Sequence, residues 1–313
     1  MASISSEDKR IMYVGLCCLD IINICNAYPE EDTDQRSLDY YWKRGGNASN
    51  SCTVSSLLGV NVEFMGTLVK TREYGFMTSD LAKYDIKTEN CAIYDGDRYS
   101  CPVAVAIISK QNGSRTLITA LNNIVELEFS SFQKVQLQQY SWIHFEGRDN
   151  LSNIQQMMEM VEQYNNDVNI SDRIIVSMEL EKVKRKQLVP LMKKADYVFV
   201  SKDFAAEQGY SCKEDAVNGL IELCKPSGVI ICAWGSDGAA AKAGSHDHVT
   251  SQVFSPEKVV DTLGAGDTFN AATILALNKK KTLKEAITFG CRIAGAKCGL
   301  NGFDDLRGMQ TYL

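Results

Sequence analysis

The sequence lacks the signatures of several common protein classes. It has no Gly-x-x-x-x-Gly-Lys-Ser/Thr loop, which excludes a P-loop kinase, and no Gly-x-Gly-x-x-Gly near its first predicted strand, which excludes a dinucleotide-dependent dehydrogenase. With only three histidines and no Cys-x-x-Cys pair, no protein metal site is predicted. No apolar run approaches the roughly 20 residues that a membrane-spanning helix needs, so no membrane partner is expected.

Acidic residues outnumber basic ones, 39 to 33. The formal net charge of −6 argues against nucleic acid or an anionic membrane as a partner. The one basic run, Lys279–Lys281, is explained by a solvated helix C-terminus. Eleven cysteines in a chain without a recognisable signal peptide favour a reducing compartment, so a cytoplasmic location is expected. The first ten residues are polar and are expected to fray.

Short apolar runs alternate with amphipathic stretches along most of the chain. Runs such as Ile11–Leu19, Tyr197–Val200 and Val229–Ala233 are typical of strands buried on both faces, and Asn150–Tyr164 and Val183–Lys194 are typical of helices. This order predicts an α/β fold in which helices flank one parallel sheet, with ligands bound beyond the carboxyl ends of the strands. The length of 313 residues suits one such core with an insertion.

Two segments, residues 23–44 and 91–119, do not fit this alternation. They contain strand-like runs such as Val103–Ile108 and Arg115–Ile118, which predict a small separate β-sheet. Residues 11–22, 45–90 and 120–304 would then form the core. A sheet with one face over the active site and an apolar outer face needs a cover, which favours dimerisation through that sheet.

The most informative stretch is Asp261–Asp267, which reads Asp-Thr-Leu-Gly-Ala-Gly-Asp and runs directly into a helical pattern. Glycines at this position allow close approach of the backbone to a ligand, and the start of a helix offers free N–H groups to an anion. The pattern predicts that Gly264, Ala265 and Gly266 stabilise a phosphoryl group. A glycine-rich turn with an ordinary capping aspartate is the alternative for the shorter Gly-x-Gly-Asp motif alone.

Asp267 is the predicted catalytic base. It would orient the proton of an attacking hydroxyl, since in a loose phosphoryl-transfer transition state that proton leaves late. The helix dipole should lower its pKa, so that the carboxylate is ionised at neutral pH.

The heptad resembles the second signature of the ribokinase-like (pfkB) carbohydrate kinases. Three further segments, Arg44–Asn50, Trp142–Arg148 and Lys297–Asp304, resemble the branch of this family that phosphorylates ketohexoses. The resemblance covers roughly residues 12–304. It implies a ribokinase-like three-layer fold, a small β-sheet lid over the sugar, and a homodimer in which the two lids clasp each other.

The sugar site is predicted from four residues besides Asp267. Asp20 follows a predicted buried strand and would need donors such as sugar hydroxyls, although an Asx turn is an alternative. Gly46 permits close approach of the backbone, while Asn47 and Asn50 share one helix face and can each donate and accept. Asn47 could also cap the helix predicted over residues 48–58, either in place of binding the sugar or in addition to it. By resemblance, these four residues and Asp267 bind the sugar.

The nucleotide site is predicted mainly from resemblance. In the turn Asn112–Thr116 an arginine would reach the phosphates, although an arginine beside a turn is often only a surface charge. A second turn, Gly235–Gly238, lacks the acidic pair expected between its glycines, so its contacts would come from the backbone. Cys298 would line the adenine pocket or else be an ordinary buried cysteine. The predicted nucleotide-binding residues are Arg115, Gly235, Ser236, Asp237, Gly238, Gly264, Ala265, Gly266 and Cys298.

Two further residues and two cations complete the predicted site. Glu146 and Arg148 should form an internal ion pair, and resemblance places them near the sugar and phosphates. The Asn-x-x-Glu motif that helps to place magnesium in many family members is absent from residues 200–205. Mg²⁺ is therefore expected to be held mainly by phosphates and water. Resemblance also suggests activation by K⁺ near Asp261.

The resulting expectation is ATP-dependent phosphorylation of the 1-hydroxyl of a ketohexose, with D-fructose as the first candidate. A ribokinase-like kinase of another sugar or of a nucleoside is one alternative, and a catalytically silent sugar sensor is another. The sensor alternative would be favoured by loss of Asp267 or its glycines, and all of them are present.

Overall fold

The structure is a computed structural model that describes residues 9–313, so most of the segment predicted to fray lies outside it. The strands are β1 Arg10–Val14, β2 Cys18–Cys25, β3 Asp39–Gly45, β4 Val62–Met65, β5 Thr67–Lys70, β6 Ala92–Asp95, β7 Val103–Ser109, β8 Arg115–Ala120, β9 Tyr140–Glu146, β10 Ile175–Leu180, β11 Tyr197–Ser201, β12 Val229–Ala233, β13 Ala239–Ala243 and β14 Val249–Ser251. The α-helices are α1 Asn47–Leu57, α2 Tyr74–Lys83, α3 Phe129–Phe132, α4 Leu151–Asp167, α5 Lys202–Glu207, α6 Lys213–Leu220, α7 Ala265–Asn278 and α8 Leu283–Cys298.

The main sheet has eight strands in the order β14-β13-β12-β11-β10-β9-β1-β4. All neighbours pair in parallel except at one side of the sheet, where β13 pairs antiparallel with both β12 and β14. Ile11 and Tyr13 belong to the core that includes α1, α7 and α8, and Met12 and Val14 belong to the core that includes α4 and α6. This alternation means that both faces of the sheet are covered, as the continuous apolar runs predicted. The predicted three-layer α/β class is confirmed.

A second sheet contains four strands in the order β3-β2-β7-β8. It comprises most of the predicted insertion, but two boundaries differ from the prediction. Strand β2 begins at Cys18, so residues 18–22, which were assigned to the core, belong to this sheet. Strand β6 pairs with β5 in a separate parallel pair, so residues 92–95 do not belong to it.

The predicted strand Ile11–Leu19 is also wrong, because the chain leaves the main sheet after Val14. At Gly15 a β-carbon would lie 2.6 Å from the Cβ of Glu146 and 2.8 Å from that of Ala48. The backbone passes so close to its neighbours here that the turn between β1 and β2 requires glycine. What reads as one apolar run thus contains parts of two strands, which belong to different sheets.

The amphipathic stretch Val183–Lys194 is helical only in part. Residues Lys186–Lys194 form a 3₁₀ helix with Pro190 inside it. Proline has no N–H to donate and its ring clashes with the preceding turn, so an α-helix cannot run through this position.

Helix α7 positions the site. Every residue of it from Asp267 to Leu277 is buried, which agrees with its apolar character around the whole circumference. It packs between α1 and α8, and α8 begins with a capping box formed by Thr282 and Glu285. Within residues 9–313, no helix has the length and apolar character needed to span a membrane.

Candidate active site at the carboxyl edge of the main sheet

Six parallel strands end at one edge of the main sheet, and the loops that follow β1, β9, β10, β11 and β12 bring the polar residues together. Glu146, the last residue of β9, accepts hydrogen bonds from the amides of Leu16 (3.0 Å) and Ala48 (3.1 Å). This one carboxylate therefore connects the β1–β2 turn to the start of α1. The edge is where ligands bind in sheets of this kind.

The glycine-rich loop ends where α7 begins. Gly264 precedes the helix with φ +78°, and a β-carbon there would lie 2.5 Å from the ring of Phe303. Only glycine fits this left-handed, crowded position without strain. Ala265 and Gly266 form the first turn, where the free N–H groups of a helix point outward and attract an anion.

Asp267 also lies in this first turn and is 7% exposed. Its Oδ2 accepts a 2.8 Å hydrogen bond from the side-chain amide of Asn50 on α1. Burial raises the pKa of Asp267 to about 8, the bond from Asn50 opposes the shift, and the charges of Glu181 and Glu146 add to it. The predicted lowering by the helix dipole is wrong, because desolvation and like charges outweigh the dipole.

Asn47 does not cap α1. The residue that precedes the helix is Gly46, with φ +99°, and no side chain caps the first turn. Instead the Nδ2 group of Asn47 donates to Glu179 (3.0 Å) and to Glu181 (2.7 Å). Both amide hydrogens are thereby used, so Asn47 offers a ligand only its carbonyl oxygen.

Sequence reasoning missed Glu179, Glu181 and Asn270. Glu179 is buried in β10 and accepts a 2.8 Å bond from Asn270 on α7, besides the bond from Asn47. Burial raises its pKa well above the ordinary glutamate value, and the charges of Glu181 and Asp267 add to the shift. Two glutamates at the end of an apolar run were the available signal, because charge is rarely buried without a partner.

Asp20 lies within β2 rather than after β1, so the Asx-turn alternative is wrong. It is aligned with Lys43 of β3. Within residues 9–313, the one hydrogen bond to its carboxylate comes from the thiol of Cys18 at 3.6 Å. Burial raises its pKa, and Cys18 and Lys43 oppose the shift. A β-carbon at Gly45 would lie 2.2 Å from its Oδ2, so this glycine makes room for the carboxylate.

Arg115 begins β8 and reaches the glycine-rich loop. Its Nη1 donates a 2.7 Å hydrogen bond to the hydroxyl of Thr262. Asp20 aligns across the sheet with Thr119 on β8, and Arg115 is four residues before Thr119. Because side chains alternate along strands, Arg115 and Asp20 project from the same face. One face of the small sheet thus carries both Asp20, which is predicted to bind the sugar, and Arg115, which is predicted to bind phosphate.

The turn after β12 has the backbone form that its glycines allow. Gly235 and Gly238 have φ values of +59° and +84°, and a β-carbon at Gly238 would lie 2.1 Å from the carbonyl oxygen of Ser251. The side chains of Ser236 and Asp237 are exposed. The turn lies at the carboxyl edge, and within residues 9–313 no hydrogen bond joins it to the Gly264 loop.

Cys298 is the last residue of α8 and is partly exposed, unlike an ordinary buried cysteine. Its carbonyl oxygen accepts hydrogen bonds from the amides of Val260 (2.8 Å) and Asp261 (3.2 Å). The C-terminus of α8 is therefore joined by its backbone to the first residue of the glycine-rich loop. This brings Cys298 beside the loop.

The predicted ion pair between Glu146 and Arg148 is confirmed, with 3.3 Å between Oε1 and Nη1. Arg148 also binds Glu126 at 2.5 Å. Both members of the pair are buried, and Glu146 adds to the raised pKa values of Asp267 and Glu179.

The oxygens of Asp261 do not fit the expected K⁺ ion. The ammonium group of Lys297 donates to the Asp261 carbonyl oxygen (2.7 Å) and to its Oδ2 (2.6 Å). Sequence reasoning missed this lysine. For magnesium, Asp267 and the partly exposed Glu181 supply the hard oxygen donors that Mg²⁺ prefers, directly or through water.

Comparison with known proteins shows the family and agrees with the fold. The sequence matches the pfkB family carbohydrate kinases over residues 8–305. It is 42% identical over 301 residues to ketohexokinase from Mus musculus, covering 96% of this chain and 99% of that protein. The structure is similar to ribokinase from Giardia lamblia (TM-score 0.80, 15% identity, 97% of each chain). It is also similar to a putative ribokinase from Agrobacterium tumefaciens (TM-score 0.81, 16% identity, 97% of this chain and 95% of that one).

Proposed function

The chain belongs to the pfkB family of carbohydrate kinases, and from this premise we propose that it is an ATP-dependent ketohexokinase. It transfers the γ-phosphoryl group of ATP to the 1-hydroxyl of D-fructose and releases fructose 1-phosphate and ADP. One observation carries the chemistry: a buried carboxylate, Asp267, lies in the first turn of a helix that begins with a left-handed glycine.

Asp267 acts as the base. Its pKa, raised to about 8 by burial, makes it a much better proton acceptor than an ordinary aspartate while leaving part of it ionised near neutral pH. The hydrogen bond from Asn50 fixes the orientation of the carboxylate. The attacking hydroxyl gives its proton to the free oxygen of Asp267 as the new O–P bond forms.

The backbone amides of Gly264, Ala265 and Gly266 receive the charge that develops on the transferred phosphoryl oxygens. Such donors are fixed before the reaction and lie at the positive end of the α7 dipole. Arg115, which reaches this loop from β8, adds a full positive charge for the nucleotide phosphates.

The sugar binds between α1 and the inner face of the small sheet. Asp20 accepts hydrogen bonds from sugar hydroxyls, a role supported by its shortage of protein donors. The carbonyl oxygen of Asn47 accepts another, because both of its amide hydrogens are already donated to glutamates. Gly46 allows the backbone to approach the sugar. Glu146 accepts a hydrogen bond from the start of α1 and is itself paired with Arg148.

The nucleotide is bound as its magnesium complex. Glu181 and Asp267 would help to hold Mg²⁺, directly or through water, and the ion would neutralise phosphate charge. The backbone of Gly235–Gly238 and the partly exposed Cys298 line the part of the site that binds the nucleotide. The exposed side chains of Ser236 and Asp237 point toward solvent. A K⁺ ion beside Asp261 is not part of the proposal, because Lys297 already donates to the oxygens of Asp261.

The small sheet serves as a lid and as a dimer contact. Its outer face carries an aligned apolar row, Trp42, Ile21, Val105 and Ile118. Trp42 and Ile118 are 41% and 56% exposed, which is unusual for residues of this size. A second copy of the same face would cover this row around a twofold axis. All eleven cysteines are free, which supports a cytoplasmic location.

The experiment that tests this function measures ADP release from Mg-ATP with D-fructose, D-ribose, adenosine, fructose 6-phosphate or no acceptor. Fructose should give the highest turnover, and ³¹P and ¹³C NMR of the product should place the phosphate on carbon 1. Higher turnover with another acceptor would reassign the sugar side of the site. No turnover with any acceptor would refute the enzyme and favour the silent sensor.

A further inference from the structure

Lys297, in the last turn of α8, is completely buried. A buried ammonium group is costly unless it is paired, and its two acceptors are the carbonyl and carboxylate oxygens of Asp261, at 2.7 and 2.6 Å. Neither the proposed mechanism nor the predicted ligand set uses this lysine. It therefore needs its own explanation.

Asp261 is the first residue of the loop that leads to α7, and its side chain ties that loop together. Its Oδ1 accepts from the amide of Leu263 (2.8 Å), and its Oδ2 accepts from the amide of Gly302 (3.3 Å) as well as from Lys297. Lys43 of the small sheet approaches the same oxygen to 3.7 Å. One carboxylate thus connects the loop, the segment after α8 and the small sheet.

The other end of the loop is held by the same group of residues. Phe303 lies against Gly264, where a β-carbon would approach its ring to 2.5 Å. The ammonium groups of Lys297 and Lys43 lie 5.6 and 4.8 Å from the centre of that ring. Lys297 therefore contacts a residue that fixes the start of the loop and a residue that fixes its end.

We propose that Lys297 is a positioning residue for phosphoryl transfer, an inference that rests on the proposed kinase function. Its ammonium group fixes Asp261 and thereby aims the amides of Gly264 and Gly266 at the transferred phosphoryl group. It also cancels the negative charge of Asp261, which would otherwise repel phosphate from the same loop. Lys297 is buried and does not touch the substrate, so it acts only through the loop.

This role differs from that of an ordinary internal ion pair. A pair that serves stability alone could be replaced by two neutral residues without loss of turnover. A pair that sets the position of the loop could not, because the hydrogen bonds from the ammonium group determine where the amides point. A stabilising role and a positioning role can therefore be distinguished by kinetic constants, but not by the melting temperature alone.

The experiment compares three variants. They are Lys297→Met, a double variant that combines Lys297→Met with Asp261→Asn, and a matched control, Lys225→Met. Lys225 forms an ion pair with Asp196 at the opposite edge of the main sheet. The wild-type protein is first shown to phosphorylate fructose, so that failure of the proposed function is seen before any variant is assayed. Thermal unfolding defines a temperature at which every variant is folded, and kcat and both KM values are measured there.

Lys297→Met should lower kcat by about 100-fold, the order of loss that a misplacement of about 1 Å produces in a reacting geometry. The KM for fructose should change little, because Asp20 and Asn47 lie on other elements. The double variant should recover the melting temperature but keep the low kcat. Lys225→Met should retain the wild-type kcat.

A folded Lys297→Met variant with wild-type kcat would overturn the proposal. So would a double variant in which kcat recovers together with the melting temperature, since that result describes a pair that serves stability alone. If Lys297→Met does not fold, the kcat of the double variant still distinguishes a positioning role from a role in stability alone. The double variant should fold because it leaves no buried charge unpaired.

Discussion

The guanidinium group of Arg115 donates a 2.7 Å hydrogen bond to the hydroxyl of Thr262. This bond joins the outermost strand of the small sheet to the loop that leads to Asp267, over a sequence separation of 147 residues. Arg115 is exposed at the edge of the sheet. An exposed arginine that bends toward an anion-binding loop is placed to meet phosphate when the nucleotide arrives.

Arg115→Ala should raise the KM for Mg-ATP roughly tenfold or more, because a hydrogen bond to a charged group contributes about 1.5–3 kcal/mol. The KM for fructose should change much less. Lys110→Ala is the matched control, since Lys110 is an exposed cation beside the same β7–β8 turn. Steady-state kinetics with each substrate varied would check this, and an equal effect of both substitutions would show that only general positive charge matters.

Asp267→Asn should lower kcat by several orders of magnitude and leave fructose binding largely intact. Asparagine keeps the shape of the side chain but cannot accept the hydroxyl proton. Fructose affinity would be measured by calorimetry with a non-hydrolysable ATP analogue present, and kcat by ADP release. Turnover near the wild-type value would remove Asp267 from the mechanism.

The pH dependence of kcat/KM should reflect the raised pKa of Asp267. Because the base must be ionised and its pKa is about 8, kcat/KM should fall as pH decreases from 8. Well below that pKa the fall should approach about tenfold per pH unit. A flat profile between about pH 7 and about pH 9 would contradict a base with this pKa.

Stability should follow the same titration with a defined sign. The pKa of Asp267 is higher in the folded protein than its ordinary value of 3.8, so folding favours the protonated form. That contribution is complete below the ordinary value and is lost as pH rises through about 8. Asp267→Asn should therefore raise the melting temperature, and the gain should grow with pH until Asp267 is fully ionised. A gain that is independent of pH would contradict the raised pKa.

Local sequence was sufficient to predict the parts of the site that depend on a short motif. The helix start after the glycines, the first-turn Asp267 and the helix face shared by Asn47 and Asn50 all follow from residues a few positions apart. What could not be predicted depends on distant neighbours. The pKa of Asp267 is set mainly by burial, with contributions from Asn50 on α1, from Glu146 at the end of β9 and from Glu181 just after β10.

The same limit explains the other differences. Nothing near Lys297 in the sequence indicates that its ammonium group binds Asp261, because α8 and the glycine-rich loop meet only in the folded chain. In the apolar run from Ile11 to Leu19, Gly15 is the one local sign of a break, and the close approach of Glu146 and Ala48 to it is seen only in the folded chain. Hydrophobic periodicity predicts each helix or strand separately, and it does not predict the contacts between them.

Gly45→Ala should raise the KM for fructose with little change in the KM for ATP. The added methyl group would lie 2.2 Å from Oδ2 of Asp20, so the carboxylate must move away from its position. Gly75→Ala is the control, because a β-carbon at Gly75 meets no atom within 4 Å. Kinetics of both variants would check this, and an unchanged KM for fructose in Gly45→Ala would argue that Asp20 does not bind the sugar.

Ile118→Glu should convert the proposed dimer into a monomer. Ile118 is 56% exposed and aligned with Val105 and Ile21 on the outer face of the small sheet, where a charge would be buried against its partner. Ile170→Glu is the control, since Ile170 is 83% exposed and lies outside this sheet. Sedimentation velocity should give a dimer for the wild type and for the control and a monomer for Ile118→Glu. If the wild type and both variants are dimers, the dimer contact lies elsewhere on the surface. If the wild type is a monomer, the proposed dimer is wrong and the apolar row is available to another partner.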